Sequence, residues 1–331
     1  MNVKTDRSGA GRSPPRFGIG EFGWIWIALL GLVAVCALVA PSALKPGSIQ
    51  SMLPLFSVLL LLAAGQTLIV QQRGIDMSVG ALATLSGLFV AVFTGATGSG
   101  LGGVVCALAL CGAFGAVNGL LTTRLNISPI VATLATGTLM AGIARLMSGG
   151  SAMPIPPGLQ DIARARLAGV PGIGILAIVI VLAAWFVIRR TTHGRRFVAT
   201  GANPATARAS GTRVELIQVG TYAVAGVFYG VGGFLLAGYI GYATPTAGTS
   251  YLLPSIAVVV IGGTPFTGGR GSLVATIGAA AFMTLLDQMV LSMGARMSEQ
   301  LLTQAAAIVV ATSIRRFSLS SIRGRIGRGK R

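Results

Sequence analysis

Long apolar runs separated by short polar breaks constrain this 331-residue chain more than any other feature. In a bilayer the backbone groups must bond to one another, so such runs form helices, and about 20 residues cross the hydrocarbon core. Ten runs have this character: 24–41, 52–71, 77–95, 101–121, 129–147, 171–188, 215–239, 251–264, 272–293 and 300–314. The eighth is short and contains Pro254. The sequence therefore predicts an all-α, polytopic transmembrane helical bundle of about ten spans, with broken helices.

The composition supports a single membrane domain. Hydrophobic residues make up 53% of the chain and charged residues 10%, whereas a soluble domain carries about 25% charged residues. A net charge of +18 could suit a nucleic acid, but no soluble fold remains to present it. The positive-inside bias of membrane proteins accounts for the charge. We expect the lipid bilayer as a partner, and no nucleic acid.

The distribution of basic residues predicts the orientation. With the N-terminus in the cytoplasm and ten alternating spans, twenty lysines and arginines fall on the inner side and five on the outer side. An even number of spans with both termini cytoplasmic is therefore expected. Residues 1–22 form a basic cytoplasmic tail, 23–314 the transmembrane domain with a cytoplasmic loop at 189–214, and 315–331 a second basic tail.

Two glycine-rich breaks interrupt the apolar pattern with polar and charged residues, at 71–80 and 262–272. Corresponding broken segments in two halves of a chain are typical of transporters with internal repeats. We expect these breaks to lie along a translocation path. The candidate residues are Gly74, Asp76, Ser78, Gly80, Gly262, Gly263, Thr264, Gly268, Gly269 and Arg270.

Residues 201–211, in the arginine-rich inner loop, have the pattern of a short, complete helix. Asn203 is a suitable N-cap, Pro204 fits the first helical position, and Gly211 can adopt the left-handed stop. A helix this short is marginal alone, so it should pack on something. It is either a surface helix against the membrane face or a docking element for a cytoplasmic partner. The candidate docking residues are Asn203, Pro204, Ala205, Arg208, Ser210 and Gly211.

Five motifs occur in order, at 74–80, 118–120, 201–211, 245–248 and 262–272. Together they resemble the permease subunits of ribose- and other monosaccharide-type ATP-binding-cassette importers, over roughly residues 50 to 314. The chain departs from that family at Arg73, where members often have glycine. It also departs around Leu253 and Pro254, where sugar members often have acidic residues.

The resemblance implies a function and a set of partners. It implies inward transport of a small polar solute, a monosaccharide above all, by alternating access in a bacterial inner membrane. It also implies a cytoplasmic ATPase partner, a periplasmic solute-binding protein, and a dimer with itself or a paralogous permease. In that family the coupling helix lies in the loop that here spans Asn203 to Gly211.

The chain has no phosphate-binding motif of the G-x-x-x-x-G-K-[S/T] type, so we expect it to be a non-catalytic subunit. We expect no cofactor on this chain, with ATP and Mg²⁺ on the partner subunit. No His, Cys and carboxylate cluster offers a metal site. A membrane enzyme would need converging catalytic groups, and the lone histidine, His193, is in a basic loop.

An ion-coupled secondary transporter is the alternative function, and it would need buried acidic groups. Asp76 and Asp287 are the candidates. Asp76 and Arg73 flank a break, so they either pair or lie at a boundary, or they act in a gate or pathway. Asp287 is either a buried hydrogen-bond partner between helices or a pathway residue.

Overall fold

A bundle of apolar helices forms the described part of the chain, residues 22–296 and 298–310 of a computed structural model. Nearly all of the predicted tail 1–22, the predicted tail 315–331 and the end of the tenth predicted span, 311–314, lie outside it. The principal helices are α1 (Trp24–Val39), α2 (Pro46–Gln71), α3 (Val79–Thr97), α4 (Gly100–Thr123), α5 (Pro129–Ser148), α6 (Pro157–Arg164), α7 (Gly172–Arg190), α8 (Thr192–Ala202), α9 (Pro204–Ala209), α10 (Val214–Ile240), α11 (Leu252–Ile261) and α12 (Leu273–Ser292). Residues 298–310 are also helical.

Seven helices of the described part are long and apolar enough to cross a membrane: α2, α3, α4, α5, α7, α10 and α12. The chain is therefore an all-α, multi-pass integral membrane protein. The predicted first and eighth spans are shorter apolar helices, α1 and α11. The ten residues of α11 rise about 15 Å, roughly half of the hydrocarbon core. The count of about ten spans therefore stays a prediction.

Helix α2 lies at the centre of the bundle. It packs against α7, α10, α11 and α12, and 89% of its most apolar 18-residue window is buried. Leu60, Leu61 and Met283 are fully enclosed in the core that surrounds it. A helix that is apolar on all sides and enclosed by other helices is expected at the core of a large bundle.

Helices α4 and α10 approach each other closely because glycines line their contact. A β-carbon at Gly115 would lie 2.2 Å from the carbonyl oxygen of Tyr222, and one at Gly226 would lie 2.3 Å from that of Cys111. Only residues without a side chain permit this separation, which brings the two backbones into contact, as small residues do in membrane helix pairs.

Two short antiparallel strand pairs lie beyond the ends of α5, α7 and α10. They are formed by β1 (Met153–Pro154) with β4 (Tyr242–Ala243) and by β2 (Arg166–Leu167) with β3 (Val170–Pro171). The first pair joins the loop after α5 to the loop after α10. The opposite end of the bundle carries α8, α9 and the two breaks. The two ends of the bundle therefore differ in structure.

Candidate functional site

Helix α9 has the capping predicted from the sequence. The side-chain oxygen of Asn203 accepts hydrogen bonds from the amides of Ala205 (3.0 Å) and Thr206 (3.2 Å), and Pro204 is the first helical residue. Gly211 has a φ of +79°, in the left-handed region. Two predicted features of this helix, its start and its stop, are thereby confirmed.

One face of α9 packs inward and the rest is exposed. Ala207 is buried, whereas Ala205, Arg208 and Ser210 are exposed. The helix packs on α8 and, more lightly, on α10. It therefore rests on the bundle through Ala207 and presents most of its other side chains outward.

The first break lies between the end of α2 at Gln71 and the start of α3 at Val79. Arg73 adopts a φ of +68° there, a left-handed conformation that favours glycine. Its guanidinium does not pair with Asp76. The Nε atom donates to the carbonyl of Gly201 (2.9 Å), and Nη2 donates to that of Ala202. The pairing interpretation is therefore wrong, because the end of α8 offers carbonyls within reach of the arginine.

Asp76 instead begins a buried polar network. Its carboxylate accepts from the amide (2.7 Å) and hydroxyl (2.6 Å) of Ser78. Asn118 of α4 donates to the Ser78 hydroxyl (3.0 Å), and Thr136 of α5 donates to Asn118 (2.6 Å). The network fixes the first break against α4 and α5 with polar groups removed from lipid and water.

The same network continues into the bundle centre. Gln66 of α2 donates to the backbone carbonyl of Asp76 (3.1 Å), and it accepts from the Tyr229 hydroxyl of α10 (3.0 Å). Both side chains are fully buried. Buried polar groups are stable when bonded in this way, so the break is a built element of the fold.

The second break, 262–272, contacts the first. The amide of Gly269 donates to the carbonyl oxygen of Gln71 (2.8 Å). Gly263, Gly268 and Gly269 have positive φ values, and Ser272 caps α12 by accepting from the amide of Ala275. The two breaks, about 200 positions apart in sequence, therefore meet at the end of the bundle that carries α9.

Three segments converge at this point, which we call the junction: 71–73, 197–202 and 268–271. A β-carbon at Gly201 would lie 2.1 Å from the carbonyl oxygen of Gln71, and one at Gly269 would lie 2.5 Å from the α-carbon of Ala202. Gln72 donates to the carbonyl of Phe197 (2.8 Å). The junction therefore connects both breaks to the residues that lead directly into α9.

The other candidate residues of the breaks lie in several places. Gly74 faces the Tyr222 hydroxyl, Gly80 lies against the backbone of Gly248, and Gly262 approaches Ala275. Thr264 is buried and Arg270 is exposed. The breaks thus do not form one continuous lining in the described chain.

A cavity of about 170 Å³ lies between the start of α3, the middle of α5 and the segment 245–252. Met77, Gly80, Thr84, Thr138 and Thr249 are among its lining residues. It adjoins the motif at 245–248, whose Gly248 amide donates to the Thr84 hydroxyl (2.9 Å). Of the candidate residues, only Gly80 lines this cavity.

Asp287 of α12 accepts a hydrogen bond from Gln304 (2.8 Å) in the helical segment 298–310. Its interpretation as a hydrogen-bond partner between helices is confirmed, although Asp287 is partly buried and not fully enclosed. One carboxylate oxygen of Asp76 accepts from Ser78, whereas its other oxygen is buried and has no hydrogen-bond partner among the described residues.

The candidate residues taken from the sequence did not include those that hold the junction together, namely Gln71, Gln72, Phe197, Gly201 and Ala202. A signal was present for most of them, because Gln71 and Gln72 lie in the first break and Gly201 and Ala202 lie in the motif at 201–211. Contacts between segments more than a hundred residues apart leave no trace in a single sequence.

Comparison with known proteins assigns the family. Residues 48–312 match the family described as branched-chain amino acid transport system / permease component. The chain is 34% identical to the ribose import permease protein RbsC of Escherichia coli strain K12 over 298 residues, covering 87% of this chain and 91% of the relative. No solved structure matches the chain significantly.

Two further relatives agree. The RbsC protein of Bacillus subtilis strain 168 is 32% identical over 296 residues, covering 88% of this chain and 91% of the relative. The autoinducer 2 import system permease protein LsrC of Salmonella typhimurium is 33% identical over 262 residues, covering 77% of this chain and 76% of the relative. All three are named as permease proteins of import systems, which are non-catalytic transport components. The chain therefore belongs to the family of transport-system permease components.

Proposed function

We propose that the chain is the membrane-spanning subunit of an ATP-driven importer for a small polar solute, with a monosaccharide as the substrate class. The named relatives support this proposal, since they are permeases for ribose and for autoinducer 2. A partner ATPase in the cytoplasm would supply the energy and carry the ATP and Mg²⁺.

The observation that carries the proposal is the arrangement around α9. This capped helix is exposed through Ala205, Arg208 and Ser210, while the residues just before it belong to the junction with both breaks. An exposed element joined by hydrogen bonds to interior segments suits the docking of a protein that moves. The ATPase would bind α9, and its closure would move the breaks and change which side of the membrane the path faces.

The proposed importer also includes a solute path, a second permease chain and a periplasmic binding protein. The path would run past the breaks and the cavity beside α3 and α5, and two permease chains, identical or paralogous, would enclose it. A periplasmic binding protein would deliver substrate at the end that carries β1 and β4. About ten spans, with both termini in the cytoplasm of a bacterial inner membrane, agree with the excess of basic residues on the proposed inner side.

Co-purification from native membranes tests this function. The full chain is tagged and extracted gently, and bound proteins are identified and weighed by native mass spectrometry. Arg208→Glu, on the exposed face of α9, should reduce the amount of ATPase recovered. Arg145→Glu makes the same charge change on an exposed residue at the other end of the bundle, so it should retain the ATPase.

A complex with two permease copies and a cassette ATPase, weakened only by the α9 variant, is the expected result. A chain that purifies alone, and alone imports solute into vesicles under an ion gradient, would show that the ion-coupled alternative is correct. In that case neutralising Asp76 and Asp287 should abolish uptake.

A further inference from the structure

We propose that Arg73 is a positioning residue, which transmits movement of the loop carrying α9 to the connector between α2 and α3. This role rests on the proposed function of α9 as the ATPase docking element. It assigns to one side chain the mechanical link between the docking helix and the first break.

Arg73 contacts the end of α8 directly. The guanidinium of Arg73 donates to the carbonyls of Gly201 and Ala202, the last two residues of α8. Terminal helix carbonyls have no partner within their helix and carry the negative end of its dipole. A planar guanidinium with several fixed donors suits two adjacent acceptors. Asn203, the cap of α9, follows directly, so the contact lies one residue from the docking helix.

The backbone of Arg73 is held in an unusual conformation at the end of α2. A φ of +68° is uncommon for a residue with a side chain, and such conformations persist where surrounding structure holds them. The Arg73 amide donates to the carbonyl of Val70 (2.9 Å), and the Gly74 amide donates to that of Ile69 (3.1 Å). Arg73 is thus bonded to the end of α2 through its backbone and to the end of α8 through its side chain.

Other contacts hold the junction together without Arg73. The Gln72–Phe197 and Gly269–Gln71 hydrogen bonds hold the junction without the guanidinium. Gly269 also packs directly on Ala202, so the second break does not need Arg73 to contact α8. Removal of the guanidinium should therefore leave the junction assembled through the Gln72–Phe197 bond and the packing of Gly201 on Gln71. It should remove only the two hydrogen bonds that join the first break to the carbonyls next to α9.

Arg73→Gly is the appropriate variant, because glycine adopts a positive φ without strain and the chain should fold as before. Arg73→Lys keeps the charge with a single donor group and should rescue part of the effect. Arg195→Ala is the matched control, since Arg195 is exposed on α8 and its side chain has no hydrogen bond or ion pair with another described residue. Each variant is purified as the full complex and reconstituted in vesicles with its binding protein.

Two measurements test the link. Solute imported per ATP hydrolysed should fall about fivefold in Arg73→Gly, a typical size for coupling between two sites, while the ATPase is recovered as in the control. Separately, hydrogen exchange of amides 72–78 is followed when α9 is frayed by Asn203→Ala. That change should speed exchange in the native chain, and it should speed exchange less in Arg73→Gly.

The proposal is overturned if Arg73→Gly transports with the native ratio, if it loses the ATPase, or if exchange at 72–78 responds to Asn203→Ala equally with and without the arginine. Failure of the proposed function gives a different result. The ATPase is then missing from every variant, and the exchange comparison in the isolated chain still decides whether Arg73 forms the link.

Discussion

The backbone amide of Gly269 donates a hydrogen bond to the carbonyl oxygen of Gln71 across 2.8 Å. Gln71 is the last residue of α2, and its carbonyl is one of the terminal acceptors that a helix leaves unpaired. A glycine from the second break therefore completes the end of the helix that leads into the first. The two breaks are one structural unit, and changes to either should be felt in both.

Gly201 should tolerate no side chain. A β-carbon there would lie 2.1 Å from the carbonyl oxygen of Gln71 and 3.1 Å from the amide nitrogen of Gly269, and both neighbours are backbone atoms. We expect Gly201→Ala to reduce stability by about 1–3 kcal/mol, the usual cost of overpacking. Thermal unfolding of the purified chain in detergent measures the effect.

Gly220→Ala is the control for that measurement. Gly220 is also helical, and a β-carbon there meets nothing within 4 Å. The melting temperature of Gly220→Ala should equal or slightly exceed that of the native chain, because alanine has a higher helix propensity than glycine. An equal loss of stability in both variants would contradict the close packing of the junction.

Asn203→Ala should fray the start of α9. The substitution removes the acceptor for the Ala205 and Thr206 amides, which costs about 1 kcal/mol for a typical cap. Hydrogen exchange of these two amides should accelerate roughly fivefold, as that free energy implies. Asn203→Asp retains an acceptor oxygen and should exchange like the native chain. Unchanged exchange in Asn203→Ala would exclude the capping role.

The contact between Ser78 and Asn118 should show energetic coupling. The two side chains are fully buried and bonded at 3.0 Å. A double-mutant cycle with Ser78→Ala and Asn118→Ala should give about 1 kcal/mol, a value found for hydrogen bonds between membrane helices. The control is a second cycle with Thr138→Ala and Asn118→Ala. The exposed hydroxyl of Thr138 bonds only within α5, so the free-energy changes of these two variants should add. Additivity in the first cycle would contradict the network.

The proposed orientation predicts opposite labelling of two sites. Gly158 in α6 and Ala205 in α9 are both exposed, and a side chain at Gly158 meets nothing within 4 Å. In a cysteine-free chain within intact cells, a membrane-impermeant maleimide should label Gly158→Cys. It should label Ala205→Cys only after the membrane is opened. The reverse pattern would invert the topology.

Local features of the site follow from the sequence, and long-range ones do not. The caps of α9 depend on Asn203, Pro204 and Gly211, which are neighbours in the chain, so a single segment contains the necessary information. One of the alternatives for Arg73 was a pair with nearby Asp76, yet its partners lie about 130 positions away in α8. Proximity in sequence suggested the charge pair, whereas the left-handed backbone of Arg73 and the end of α8 determine the actual contact.

The extent of the spans shows the same division. Apolar runs locate the seven long helices, because hydropathy is a local property. Helix α2 begins at Pro46, earlier than the predicted residue 52. Its first turns were missed because Ser48 and Gln50 are polar and lower the local hydropathy. Helix α6 and strand β1 were not predicted, since they depend on packing against α10 and on pairing with β4 in the segment that follows it. The hairpin of β2 and β3 is local, and it was not predicted either.

The enclosure of α2 has a consequence for the order of events during synthesis. Helices α7, α10, α11 and α12, which surround it, are all made later. A newly inserted α2 must therefore stand among lipids at first, which its mean hydropathy of 2.2 permits. At that stage Gln66 lacks its hydrogen bond from the Tyr229 hydroxyl, because Tyr229 lies 163 residues downstream. Biogenesis thus includes a stage in which the future centre of the protein is at its periphery, where an insertase or chaperone could shield that glutamine.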